Sequence, residues 1–117
     1  MSNYLCFDLS KQLHQLGWRF LNAGCWWVAY GNDGPFLTYP PLIGDAIKVC
    51  DAPSTDDLLE FVPPVYAQIR KYDGYYVIKG TKTSDSFKSP KLIEAIAKML
   101  VYLTNKGIVK PSVQPKI

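Results

Sequence analysis

The 117-residue chain predicts an α+β domain: an antiparallel sheet of four to five strands, two main helices packed on one face, and a short helix bridging an edge. Three observations carry this expectation. Segments 8–17 and 89–107 repeat apolar residues at helical spacing between helix start and stop signals. Segments 25–30 and 65–80 read as strands, the second broken by Asp73-Gly74, a strong signal for a two-residue hairpin turn. Hydrophobic residues make up 48% and charged residues 20%, the balance of a folded domain and not of a disordered chain. The length suits one domain that buries roughly two-thirds of its unfolded surface. Residues 1–107 are read as that domain, and 108–117, with Pro111 and Pro115 and little pattern, as a flexible C-terminal tail.

The first helix is expected over "DLSKQLHQLG". Leu9, Leu13 and Leu16 form its stripe, Leu5 extends it backward, Asp8 is placed to cap the start and Gly17 to end it. His14 falls off the stripe, as a solvent-facing or half-buried side chain and not a ligand. "CWWVAY" is apolar on both faces, which predicts a central strand. Gly31 to Gly34 follow as a turn, and "PFLTY" as the return strand. The proline-rich segment 35–45 reads as an irregular connection, with a short strand near 46–49.

The stretch "CDAPSTDDLLEFVPPV" groups acidic residues between prolines. Ser54 is a good N-cap, and Asp57, three residues on, can return the bond in a variant of the capping box. Asp56 and Asp57 occupy the first turn, where the helix dipole favours negative charge. Leu58, Leu59 and Val62 supply an apolar face before Pro63 and Pro64 stop the helix. Neighbouring helical residues point about 100° apart, so these two carboxylates do not converge on a substrate. The run is read as scaffolding.

Around Asp73-Gly74 the hairpin register pairs Tyr72 with Tyr75, Lys71 with Tyr76, Arg70 with Val77 and Ile69 with Ile78. Ile69, Ile78 and Tyr76 then face the core, and Arg70, Tyr72, Tyr75, Val77 and Lys79 face away. One short strand is expected around Phe87. The last helix opens with Ser89 as cap and Pro90 as first residue, buries Leu92, Ile96, Met99, Leu100 and Leu103, and ends at Gly107.

Chemistry-bearing motifs are sparse. The chain has no GxGxxG, Walker, GxSxG or HExxH pattern. Cys6, Cys25 and Cys50 are odd in number and widely spaced, which argues against a disulfide framework and for reduced thiols. With His14 the only histidine, no metal site is expected, and no cofactor is implied. A Cys–His pair would need Cys25 or Cys50 to meet His14 through the fold. A carboxylate pair would need Asp51 to meet Asp45 or Glu60. No run reaches the ~18 apolar residues of a membrane span, and the first residues lack a signal-peptide pattern, so a cytoplasmic protein is expected.

Charge is uneven. Residues 1–64 hold three basic and seven acidic side chains, and residues 65–117 hold ten and three. Such asymmetry points to an anionic partner or to self-contact, although lysines that merely solubilise the strands and last helix would also produce it.

Taken together, Leu16-Gly17-Trp18, the Trp26-Trp27 strand, "APSTDDLLEFVP" and the final helix from Leu92 to Leu103 form a recognisable set. It resembles small proteins encoded by phages, prophages and mobile elements of gut bacteria. The resemblance spans about residues 8–106. It implies an accessory protein in a host-cell cytoplasm and brings no catalytic residues with it. The expected function is non-enzymatic: binding of a host protein or a small anionic, nucleotide-like ligand through Arg70, Tyr72, Tyr75 and Lys79, with self-association compatible with it. A nucleic-acid-binding protein with Tyr72, Tyr75 and Tyr76 as a stacking platform is the alternative. A small hydrolase using the loose carboxylates is a second.

Overall fold

Helix α3 (Leu92–Asn105) is the element on which the rest is assembled. Ile93, Ala95, Ile96, Ala97, Met99, Leu100 and Leu103 are all buried, a band wider than a one-sided stripe. Its width has a cause: α3 meets the strands at Tyr75–Lys79 and Ser86–Ser89 on one side and the helices at Phe7–Gln15 and Thr55–Leu59 on the other. The computed structural model describes residues 4–81 and 84–115, with α1 at Phe7–Gln15, β1 at Cys25–Tyr30, β2 at Asp33–Thr38, β3 at Ile47–Ala52, α2 at Thr55–Leu59, β4 at Gln68–Tyr72, β5 at Tyr75–Lys79 and β6 at Ser86–Ser89. A 3-10 turn at Pro64–Tyr66 links α2 to β4.

The α+β class holds, but the single sheet does not. Among the described residues, six strands form two antiparallel three-stranded sheets, ordered β2-β1-β3 and β4-β5-β6. The helices therefore do not share one face of one sheet: α1 packs on β3 and on α3, while α3 covers the second sheet. Between β3 and β4, α2 and the Pro63-Pro64 corner carry the chain around α3, so β4 starts a new sheet instead of extending the old one.

The apolar "CWWVAY" is the middle strand of the first sheet, as its two-faced pattern predicts. Both of its ladders carry a register shift, near Val28 on the β2 side and at Trp27/Val28 on the β3 side. On the β2 side the extra residue falls at Gly34-Pro35. Gly34 has φ +124°, and a Cβ there would lie 3.1 Å from the Val28 carbonyl oxygen, so only glycine fits this bulge. The buried side chains of the first sheet are small or medium-sized: Cys25, Val28, Cys50 and Ala52.

The main core gathers α3 with Leu5, Leu13, Trp18, Phe20, Leu58, Val62 and Ile78. Trp18, Phe20 and Phe61 pack ring against ring, with Trp18 and Phe61 centroids 4.8 Å apart. The Trp18 indole N–H donates to Thr104 Oγ1 at 3.0 Å, which ties the post-α1 segment to the end of α3. Each large aliphatic side chain buried here contributes about 1.5–3 kcal/mol before entropy is counted.

Several local expectations shift. Asp8 lies inside α1, whose N-cap is Cys6 with no side-chain cap bond. Helix α2 stops at Leu59, short of Val62. The start of α3 moves two residues, with Lys91 at the N-cap; Ser89 ends β6, donates to Glu94 and accepts from the Lys91 N–H. Residues 108–115 are not a free tail. Arg19 N–H donates to the Ser112 carbonyl and Gln114 N–H to the Arg19 carbonyl, a short parallel bridge around Val113. Pro111 sits against Gly17, and Gln114 is buried. Two prolines suppress periodicity in this segment, but a polar side chain with buried partners still anchors it.

Candidate functional site

The Asp73-Gly74 turn forms, with Gly74 at φ +85°, and sets the β4–β5 register. Tyr72 pairs with Tyr75, Lys71 with Tyr76, Arg70 with Val77 and Ile69 with Ile78, as the turn chemistry predicts. Strand β6 extends the ladder, with Tyr76 opposite Ser89, Val77 opposite Lys88, Ile78 opposite Phe87 and Lys79 opposite Ser86. Cross-strand partners share a face and successive residues alternate. Rows Ile69–Ile78–Phe87 and Lys71–Tyr76–Ser89 therefore face α3. Rows Gln68–Lys79–Ser86, Arg70–Val77–Lys88 and Tyr72–Tyr75 form the opposite face, which no helix of the described residues covers.

Arg70, Tyr72, Tyr75 and Lys79 are all exposed and are brought onto this one face. The two tyrosine rings stack, with centroids 5.1 Å apart and planes within 12°. Lys88, which the sequence pattern alone did not single out, joins them, its ammonium 5.8 Å from the Tyr75 ring centroid. The signal for Lys88 is the alternation "SFKS": once Phe87 points inward, Ser86 and Lys88 must point out. Tyr76 and Lys71 leave the platform. They lie on the α3 side, with Tyr76 half-buried and the Lys71 ammonium 5.8 Å from its ring centroid.

The face measures about 10 Å across three strands and about 17 Å along five residues. None of its ladder positions is a carboxylate. It offers three cations and two π-faces around Val77, on a flat surface.

The acidic run at α2 is a capping device. The Ser54 N–H donates to Asp57 Oδ2 at 2.9 Å and the Asp57 N–H to Ser54 Oγ at 3.3 Å, the reciprocal pair of a capping box. The remaining Asp57 oxygen accepts from Gln114 Nε2 at 3.0 Å, and Glu60 accepts from the same nitrogen at 2.6 Å. Asp51 is equally committed: Oδ2 accepts the Phe20 N–H at 2.8 Å, and the Lys48 ammonium lies 2.7 Å from Oδ1.

Burial, aided by the charge of Asp51, pushes the Cys50 thiol up to about 11, the wrong direction for a nucleophile. Burial also lowers the pKa of His14, and the nearby Arg19 adds to this. Its Nδ1 is buried without a hydrogen-bond partner among the described residues. No group of three or more His, Cys, Asp or Glu able to hold a metal occurs among the described residues. A shallow cleft of about 170 Å³, lined by Gln12, Gln15, Leu16, Val101 and Asn105, carries no ionisable side chain. No helix of the described residues is long and apolar enough to cross a membrane.

No protein-family model, no curated protein and no solved structure matches this chain.

Proposed function

We propose that this protein is a non-enzymatic binding protein that takes a nucleotide-like anionic ligand on the open face of the β4-β5-β6 sheet. The observation that supports this reading is the face itself: a stacked Tyr72–Tyr75 pair beside Arg70, Lys79 and Lys88, with no carboxylate on its ladder positions. A nucleotide unit joins a planar base to a phosphate. Tyrosine offers the base a π-face, and arginine offers the phosphate a planar fork of donors. A flat face suits successive units of a short single strand better than one free nucleotide, because several phosphates then engage several cations together. The accessory role in a phage or mobile element belongs to the same proposal and rests on the resemblance of the α2 opener and the final helix.

Fluorescence anisotropy with a labelled dT oligonucleotide, and thermal melting with a panel of free nucleotides, separate the two sources of this chemistry. With three phosphate contacts, log K for a single strand should fall against log salt with a slope of about −2. Replacing Tyr72 and Tyr75 together by alanine should weaken binding at least about tenfold, since stacking contributes about 1–3 kcal/mol per base. Saturable binding of neither ligand at low salt, or equal binding by the double variant, would defeat the proposal.

A further inference from the structure

No residue from 31 to 45 is buried, although this stretch contains Phe36, Leu37, Tyr39, Leu42 and Ile43. Seven of the exposed large hydrophobic side chains cluster between positions 30 and 47: Tyr30, these five, and Ile47. Ordering a residue costs about 1–2 kcal/mol of backbone entropy, and this arm recovers little of that by burial within its own chain. The arm also ends a sheet, because β2 pairs with β1 on one side only.

Exposed strand edges invite pairing, and charged side chains are a common guard. Among the described residues, β3 carries Lys48 at its edge, β4 carries Arg70 and Lys71, and β6 carries Lys88. Strand β2, "DGPFLT", carries no lysine or arginine; its one charge is Asp33, at the start.

From these observations we infer that β2 and the following loop form a self-association surface, and that its occupant is the same surface of a second copy of this chain. Three arguments select a second copy. An antiparallel strand edge is self-complementary about a two-fold axis, which closes the assembly at a dimer. The exposed parts of Phe36, Leu37, Tyr39, Leu42 and Ile43 alone present on the order of 500 Å², a large share of the ~800 Å² per partner of a stable interface. Between positions 30 and 47 the only charges are Asp33 and Asp45, and such charge-poor, apolar surface resembles homodimer interfaces more than transient ones.

Pro35 and Pro40 bracket the pairing. Proline cannot donate to a ladder, so the two copies would bond across Phe36–Tyr39, with Leu37 of one copy opposite Thr38 of the other. The two Asp33 carboxylates then sit about 30 Å apart, beyond effective repulsion. The joined sheet runs β3-β1-β2-β2-β1-β3 and uses no strand of the β4-β5-β6 sheet.

Sedimentation velocity on the full chain tests this. At about 100 μM the wild type should sediment as a dimer of twice the 13.2 kDa chain mass. Leu37→Lys restores the missing edge charge at a position that is 39% exposed, so the variant should fold with an unchanged circular dichroism spectrum. Its dimer dissociation constant should rise at least about tenfold. Tyr72→Ala with Tyr75→Ala should leave dimerisation unchanged, which keeps this test independent of the ligand reading. A monomeric wild type at that concentration, a Leu37→Lys variant as dimeric as wild type, or loss of the dimer in the tyrosine variant would overturn the inference.

Discussion

The side-chain amide of Gln114 donates to Asp57 Oδ1 at 3.0 Å, joining the C-terminal segment to the helix cap at α2. The same nitrogen donates to Glu60 at 2.6 Å, and the Gln114 oxygen accepts the Asn22 N–H at 2.9 Å. Gln114→Leu should therefore destabilise the fold by about 1–3 kcal/mol, because buried carboxylate and amide groups lose partners. Truncation after Lys110 should cost at least as much. Urea denaturation measures both, and an unchanged midpoint after truncation would mean that 111–117 behaves as the free tail its composition suggests.

Within α2 the two adjacent aspartates should behave differently. Ser54→Ala removes the cap hydroxyl and should cost about 0.5–2 kcal/mol. Asp57→Ala also strips Gln114 of an acceptor and should cost more. Asp56 is exposed in the first turn, so Asp56→Ala should stay within about 1 kcal/mol of wild type, the size of a dipole contribution. Equal losses at 56 and 57 would contradict the capping geometry.

Strand β5 offers a two-sided control. Ile78 is fully buried beneath α3, and Ile78→Ala should destabilise by about 2–5 kcal/mol. Tyr72 and Tyr75 are 44% and 36% exposed, and their alanine variants should melt cooperatively within a few degrees of wild type. Differential scanning calorimetry decides the matter; unfolding of the tyrosine variants would place those rings in the core.

His14 should make the protein acid-sensitive. Its pKa is lowered from 6.5, chiefly by burial, then by the charges of Arg19 and Lys48, against the opposing pull of Asp51. The unfolded chain accepts the proton at a higher pH than the folded one. The His14 contribution is thus complete above about 6.5 and is lost as pH falls through the folded value. Thermal midpoints between about pH 7.5 and 5 should fall less for His14→Gln than for wild type. Parallel curves would remove His14 as the cause.

The thiols should separate by accessibility. Cys25 and Cys50 are 1% and 0% exposed, Cys6 is half-buried, and the Cys50 pKa is raised to about 11. Iodoacetamide at neutral pH should label Cys6 first and leave Cys50 unmodified until the protein unfolds. Peptide mass spectrometry after timed quenching reads the order, and early labelling of Cys50 would contradict its burial.

Local physics, legible in the sequence by itself, determined much of this protein. The Asp73-Gly74 turn dictated a register that matches at each expected pair, because a two-residue turn leaves no freedom in which residues oppose. The same register placed Arg70, Tyr72, Tyr75 and Lys79 on one face. Ser54 and Asp57 declared the capping box, and the two-faced "CWWVAY" declared a central strand. What those signals share is short range: each relates residues only a few positions apart.

Tertiary structure decided the rest. Strand existence is local, but which edges meet is not, so six strands could divide into two sheets without changing any local pattern. Helix α3 buries Ile93, Ala95 and Ala97 beyond its expected stripe because α1 and α2 press on the side away from the second sheet. Lys88 joined the candidate site only through the β5–β6 pairing, and Gln114 found Asp57 from 57 residues away. The Gln114 bond leaves no periodic trace, since a hydrogen bond across the fold depends on where the packed core places its ends, and the alternation of "SFKS" gives Lys88 a face but not its neighbours.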